Sequence, residues 1–274
     1  GLRFLVAGVV LYGWMRLKGA PPPTRKQWAG ASVLGAMMFL VDYGCLFWAE
    51  QRVPSGIAAI VLATIPVFIT LLEITFLRTQ RLTLRLALAL LLGLCGVAVL
   101  TLPSFSLGEV PINRAGALAL LVASFTWAVA TILTRRLPLP DSKPTSAAAQ
   151  MMTGGIQLLV LAALSDEFAG FHWQTVSRNA WLSLIYLIVA GSIVGFTAYV
   201  WLLHYESPTK VGTYAYVNPM VAVAVGYFLG GEAIGRRTLL GALLILISVI
   251  TIVTSPKRAS QRAEQSSLST AEAD

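Results

Sequence analysis

The chain has 274 residues, of which 57% are apolar and 12% are charged, and its formal net charge is +8. Soluble domains have about 45–50% apolar and about 25% charged residues, so a mean hydropathy of +0.76 exceeds what a soluble core can bury. The composition therefore excludes a soluble globular protein and predicts an integral membrane protein whose apolar surface is covered by lipid.

Nine apolar stretches predict an all-α membrane fold. A transmembrane helix needs about 20 mostly apolar residues. The candidates in chain order are Leu2–Leu17, Gln27–Ala49, Pro54–Leu77, Leu82–Leu102, Ala115–Thr134, Thr145–Leu164, Ala180–Leu203, Val211–Gly230 and Arg237–Thr254. The first stretch is short. The polar tail from Ser255 to Asp274 is expected to be disordered.

Cys45 and Cys95 lie inside apolar stretches and are interpreted as buried side chains, so no disulfide, metal or cofactor is expected.

Lysine and arginine are distributed unevenly between alternate loops. Fourteen of them fall on the side that includes the carboxyl-terminal tail, and six fall on the opposite side. Because basic residues accumulate in cytoplasmic loops, the carboxyl end is predicted to be cytoplasmic. The net positive charge is then explained by the orientation of the protein in the membrane, and no nucleic-acid partner is expected. Nine spans would leave the amino end outside, which suggests that a first helix is missing from the chain.

Two parts of the chain repeat each other. Tyr43–Gln51 aligns with Tyr199–Ser207, whereas Pro66 and Pro219 align only after a shift of three residues, so the register stays open. A repeat unit with an odd number of helices must lie upside down relative to its copy, and inverted repeats place a substrate site near the membrane midplane. The predicted domains are a first repeat at 1–103, a linker at 104–114, a second repeat at 115–254 and the tail at 255–274.

Three segments carry a resemblance to a known family. They are FWAEQRVPSGIAAIVLATIP, SFTWAVATILTRR and YLIVAGSIVGFTAYVWLLHYESPTKVGTYAYVNPMVAVAVGYFLGGEAIG. Together they resemble the EamA-type branch of the drug/metabolite transporter superfamily. The resemblance implies ten helices in two inverted five-helix repeats, a central cavity and export of small metabolites, amino acids or drugs by alternating access. It also implies that this chain begins at the second helix of the family.

Asp42 is the sharpest candidate for a functional residue. It lies within the second apolar stretch, roughly 10 Å along the helix from its outer end at 1.5 Å per residue. A carboxylate at that depth is costly unless it is paired, hydrated or protonated. Two interpretations stay open. Asp42 is either a protonatable coupling group or counter-charge for a cationic substrate, or it is a hydrogen-bonding acid near an aqueous vestibule.

Six further side chains are predicted to contact the substrate. They are Tyr43, Trp127, Tyr199, Tyr214, Tyr216 and Asn218. The resemblance places the helix of Trp127 beside the cavity, and Asn218 has the alternative of an interhelical hydrogen bond that orders the bundle. Pro66 and Pro219 are predicted to kink their helices, because each proline removes a backbone hydrogen bond.

Enzyme chemistry finds little support in the sequence. No HExxH, CxxC or GxxxxGK[ST] motif occurs. Glu73 is expected to extend towards Arg78 and Arg81 at the cytoplasmic end of its span. The sequence therefore predicts a secondary transporter in the inner membrane of a bacterium, with a small-molecule substrate and lipid as its partners and with a homodimer left open. The alternatives are a membrane-embedded enzyme and a non-transporting membrane assembly partner.

Overall fold

A computed structural model describes residues 1–101, 113–168, 173–230 and 235–254. Every regular element in these ranges is a helix, which confirms the predicted all-α class. Most of the predicted linker at 104–114 and the whole predicted tail at 255–274 lie outside the described residues.

Nine helices account for most of the described chain. They are α1 (Leu2–Leu17), α2 (Arg25–Glu50), α3 (Ser55–Leu62, then Ile65–Leu72 and Glu73–Leu77), α4 (Leu84–Thr101), α5 (Arg114–Leu133), α6 (Lys143–Leu164), α7 (Arg178–Tyr205), α8 (Pro208–Gly212, then Tyr214–Gly230) and α9 (Arg236–Val253). A short 3₁₀ turn, Trp173–Thr175, precedes α7.

Six of these helices are long and apolar enough to cross a membrane, namely α2, α3, α5, α6, α7 and α9. The shortest helix, α1, has 16 residues and extends about 24 Å at 1.5 Å per residue, less than the roughly 30 Å of a hydrocarbon core. The described helices lie at the positions of the nine predicted stretches. The number of membrane crossings stays a prediction.

The chain forms two compact units, each with helices from both halves of the sequence. Unit 1 comprises Gly1–Ala49 and Phe125–Ser207, and unit 2 comprises Glu50–Ser124 and the chain from Pro208 onwards. Within unit 1, α1 lies along α6, and within unit 2, α4 lies along α9. In the predicted repeat, α1 corresponds to α6 and α4 corresponds to α9. Each of these packed pairs therefore consists of one helix and its counterpart in the other repeat.

Glycines set the closest helix approaches inside each unit. A Cβ atom added to Gly35 in α2 would lie 2.7 Å from the Gly154 backbone nitrogen in α6. In unit 2, a Cβ on Gly96 in α4 would lie 3.0 Å from the Gly241 carbonyl oxygen in α9, and the reverse distance is 2.9 Å. Small residues allow such backbone contacts, which drive helix association in lipid where the hydrophobic effect between helices is absent.

Several helices depart from regular α geometry. In α2 the segment Ala36–Tyr43 is π-helical, and in α7 the segment Leu187–Phe196 is π-helical. The predicted repeat places these two helices in equivalent positions, and π-helical segments occur frequently at functional sites. The π-helical segments therefore make α2 and α7 candidate functional helices of unit 1.

The two prolines predicted to kink helices have different settings. In α3 the α-helix is interrupted between Leu62 and Ile65, and Pro66 lies in the first turn of the segment that follows, where its missing N–H is tolerated. Pro219 instead lies inside the helical segment Tyr214–Gly230 of α8. The α-helix is therefore interrupted just before Pro66, whereas a kink at Pro219 stays a prediction.

Candidate functional site

Aromatic side chains from four helices form one cluster inside unit 1. The rings of Tyr43 and Trp127 have centroids 6.5 Å apart, and those of Trp127 and Tyr199 are 5.4 Å apart. Phe39 lies 5.0 Å from Phe196 on α7 by the same measure. With Asp42 next to Tyr43 in α2, the structure brings four predicted site residues together: Asp42, Tyr43, Trp127 and Tyr199. We call these four residues, with Phe4, Phe39 and Phe196, the acid–aromatic cluster.

Asp42 is the polar centre of this cluster. Its side chain is 4% exposed, and its Oδ1 atom accepts no hydrogen bond from any residue that the structure describes. The hydroxyl groups of Tyr43 and Tyr199 lie within electrostatic range of the Asp42 carboxyl group. A buried carboxylate in apolar surroundings needs a proton or a partner to offset its lost hydration. Asp42 is thus placed where it can bind a proton or a small cationic group.

Tyr199 is held in place by α5. The Thr131 hydroxyl donates to the Trp127 carbonyl oxygen at 2.8 Å and also lies within hydrogen-bond distance of the Tyr199 hydroxyl. Because threonine has a single O–H, the proton in the second bond comes from Tyr199. This chain of two bonds connects α7 to α5 and fixes the ring of Tyr199 against Trp127.

Sequence reasoning missed a basic residue at the edge of the cluster. Arg3 in α1 donates from Nε to the Ser192 Oγ atom at 2.8 Å, and its guanidinium carbon lies 4.9 Å from the centroid of the Phe4 ring. The hydroxyl of Tyr43 lies within electrostatic range of the Arg3 guanidinium. From the sequence, Arg3 is treated only as one of the six basic residues on the predicted non-cytoplasmic side, although its place as the second residue of the apolar stretch Leu2–Leu17 is a signal that could have identified it. The cluster therefore contains an acid and has a base at its border.

The three candidates on α8 belong to unit 2, and their settings differ. The Tyr216 side chain is 0% exposed, and its hydroxyl donates to the Leu90 carbonyl oxygen of α4 at 3.0 Å. Tyr214 is half-buried and Asn218 is exposed. The surroundings of Tyr216 are those of a packing residue in the unit 2 core, whereas substrate contact by Tyr214 and Asn218 stays a prediction.

Replacing Tyr216 with phenylalanine tests its role. Tyr216→Phe removes one interhelical hydrogen bond, for which we expect a loss of about 0.6 kcal/mol in the free energy of unfolding. Denaturant titration of the purified protein in detergent measures this loss, and the KM for transport should stay within about twofold because the surroundings of Tyr216 are those of a packing residue. A KM raised more than about tenfold at unchanged stability would instead assign Tyr216 to the substrate site.

Glu73 corrects one expectation from the sequence. Its side chain is 0% exposed and does not extend towards Arg78 and Arg81. Its Oε2 atom accepts hydrogen bonds from the Thr209 backbone N–H at 2.8 Å and from the Thr209 hydroxyl at 2.7 Å, and its Oε1 atom accepts from the Thr79 hydroxyl at 2.9 Å. Snorkelling is therefore wrong for Glu73, which connects the end of α3 to the start of α8 inside unit 2.

Comparisons with known proteins cover nearly the whole chain. A profile of the EamA-like transporter family matches residues 1–102 and 114–254. The uncharacterized inner membrane transporter YedA of Escherichia coli K12 is 33% identical over 259 residues, which is 94% of this chain and 81% of YedA. Protein PecM of Dickeya dadantii is 26% identical over 253 residues, which is 92% of this chain and 80% of PecM.

A solved crystal structure resembles the fold. It aligns with 92% of this chain and 85% of its own at a TM-score of 0.73 and 19% sequence identity. An identity this low supports the shared helical fold alone.

Proposed function

Because this chain belongs to the EamA-like transporter family, we propose that it is a secondary carrier that exports small organic metabolites from the bacterial cytoplasm by alternating access. The observation that carries the proposal is the family match over 1–102 and 114–254, together with a relative named as an inner membrane transporter. The predicted inverted repeats and the predicted cytoplasmic carboxyl end accord with this kind of carrier.

The acid–aromatic cluster is the part of unit 1 that we assign to this function. Its rings supply flat apolar faces, and Asp42 supplies the buried carboxylate of the cluster at a depth where such groups in membrane proteins serve ion or substrate pathways. Asp42 and Tyr43 lie within the π-helical segment of α2. Tyr199 lies in α7, three residues after the end of its π-helical segment. The cluster thus combines apolar contact surface with one ionisable group.

Of the two functional roles considered for Asp42, proton binding is the one that the packing favours. Phe4 and Phe39 have ring centroids only 4.4 Å apart, and Phe39 is 1% exposed. Trp127 and Tyr199, on the other side of the cluster, are 8% and 9% exposed. Rings packed this closely leave room for a proton at Asp42 more readily than for an organic cation. We therefore assign proton coupling to Asp42 and substrate contact to the rings of Tyr43, Trp127 and Tyr199.

Uptake into inside-out vesicles tests the proposed function. The reconstituted protein is supplied with a panel of amino acids and other small metabolites, and mass spectrometry follows the identity of each solute inside and outside the vesicles. A carrier should move at least one solute chemically unchanged, with a rate that saturates as its concentration rises. A product formed without net movement would favour a membrane-embedded enzyme, and movement of none would favour an assembly partner.

A further inference from the structure

Arg3 of unit 1 is a charged side chain that is held at the middle of a long apolar helix. Its Nε atom donates to the Ser192 Oγ atom at 2.8 Å, and Ser192 is 0% exposed. Ser192 lies midway along α7, a helix of 28 residues that is long and apolar enough to cross a membrane. An ionised group at such a depth is costly, and in membrane proteins it marks a substrate or ion pathway. Arg3 therefore needs a functional explanation beyond membrane orientation.

Three neighbours fix the position of the Arg3 guanidinium. Ser192 accepts from its Nε atom, and the centroid of the Phe4 ring lies 4.9 Å from its carbon. Gly191 leaves room for the Nη2 atom, because a Cβ atom at this position would lie 2.6 Å from it. The hydrogen bond at Nε and the cation–π contact hold the side chain in place before any ligand binds.

The two Nη groups of Arg3 remain for a ligand. Arginine carries N–H donors on Nε and on both Nη atoms, and it has no acceptor. No described residue accepts a hydrogen bond from either Nη atom, and no described acid, Asp42 included, lies within ion-pair distance of the guanidinium. A cation in apolar surroundings needs an anionic partner to offset its lost hydration. An anionic ligand would therefore satisfy the guanidinium.

We propose that Arg3 binds the carboxylate group of the transported solute. A carboxylate accepts two parallel hydrogen bonds from a guanidinium, and this pairing fixes its orientation as well as neutralising its charge. The Phe4 and Tyr43 rings have centroids 4.9 Å apart, so an apolar group next to the carboxylate would contact the rings of the acid–aromatic cluster. This assignment rests on the proposed carrier function, whose substrate class is then small organic acids, amino acids included.

Matched pairs of an acid and its amide test the assignment. The pairs are L-leucine and L-leucinamide, L-phenylalanine and L-phenylalaninamide, and phenylacetate and phenylacetamide. Each amide keeps the shape of the acid but lacks the negative charge of the carboxylate. Saturable binding to the purified protein in neutral detergent is followed through the midpoint of thermal unfolding. Uptake into inside-out vesicles, corrected for uptake into protein-free vesicles, is measured for the same pairs.

Two variants change the guanidinium, and each has a matched control. Arg3→Gln removes the charge, and its control Arg178→Gln removes an exposed charge from the amino-terminal end of α7 in the same unit. Gly191→Ala keeps the charge but makes the Nη2 atom of Arg3 shift. Its control Gly195→Ala adds the same methyl group to the same π-helical segment, with no Arg3 atom among its nearest neighbours. The thermal midpoint without ligand shows whether each variant is folded.

For at least one pair, we expect the wild-type protein to bind the acid at least ~10-fold more tightly than the amide, because only the acid forms charge-assisted hydrogen bonds. Arg3→Gln should remove this preference, and Gly191→Ala should reduce it severalfold. Both controls should change acid binding by less than about twofold. If Arg3→Gln does not fold, an unchanged acid preference in Gly191→Ala overturns the assignment.

The outcomes separate the carboxylate site from the carrier function itself. Acid-selective binding that depends on Arg3, without uptake of any bound acid, would retain the carboxylate site and contradict the carrier function. Equal uptake of acid and amide, with equal loss of both in Arg3→Gln, would retain the carrier function and overturn the carboxylate site. Absence of acid-selective binding in every pair would overturn the site as well.

Discussion

Asp42→Asn is expected to uncouple transport from the proton gradient. Asparagine matches aspartate in size but cannot bind or release a proton, so each transport cycle would lose its coupled proton. A gradient equivalent to 100 mV contributes about 2.3 kcal/mol per elementary charge, which corresponds to a roughly 50-fold concentration ratio. We therefore expect gradient-driven accumulation in inside-out vesicles to fall by about that factor, while exchange of solute without a gradient continues.

Two variants control this experiment. Asp42→Glu keeps a titratable group and should retain part of the gradient-driven accumulation. Asp141→Asn removes an exposed carboxylate from the same unit and should leave accumulation unchanged. If Asp42→Asn retains full accumulation and an unaltered pH dependence, Asp42 is a structural acid and proton coupling at this position is wrong.

Glu73→Ala is expected to destabilise unit 2 more than any other single carboxylate replacement in that unit. The change leaves the Thr209 backbone N–H without its acceptor and removes one acceptor from the Thr209 hydroxyl, which keeps Thr70 Oγ1 at 3.2 Å, while the hydroxyl of the exposed Thr79 can bond to water. A buried donor left unsatisfied costs about 1–3 kcal/mol, and the deleted side chain also leaves space in the packing, so we expect the free energy of unfolding to fall by roughly 3 kcal/mol in total. Denaturant titration of the purified protein in detergent measures the change.

Glu73→Gln separates the loss of hydrogen bonds from the loss of charge. Glutamine keeps one acceptor oxygen for Thr209, and its amide can donate to the Thr79 hydroxyl, so we expect a loss of only about 1 kcal/mol. Glu50→Ala, which removes an exposed carboxylate from the same unit, should change stability by less than about 0.5 kcal/mol. An equally small effect of Glu73→Ala and Glu50→Ala would contradict the network that the structure shows.

The sequence allowed much of the acid–aromatic cluster to be predicted residue by residue. Asp42 is conspicuous because an acid deep in an apolar stretch is costly. The repeat aligned Tyr43 with Tyr199, and the structure places both rings beside Trp127. The family resemblance, confirmed by the profile match, supplied the class of transporter. A single sequence is enough for these predictions, because residue type, position within an apolar stretch and an internal repeat can all be read from it directly.

The orientation of each helix about its axis was beyond prediction. A helix in lipid is apolar on all sides, so its sequence does not reveal which face meets another helix. Tyr216 and Asn218 are two residues apart on α8, yet the first is buried against α4 and the second is exposed. The partner of Glu73 was hidden for a related reason, because Thr209 is 136 residues away in the chain and only the packing of α3 against the start of α8 brings them together.

Solute counterflow tests the carrier assignment most directly. Vesicles containing the protein are loaded with a high concentration of an unlabelled solute from the uptake panel and diluted into a trace of the same solute carrying a radioactive label. A site that opens to one side at a time predicts a transient accumulation of label above its external concentration, which protein-free vesicles do not show. Label that only equilibrates, at a rate that rises without saturation, would indicate a channel and contradict alternating access.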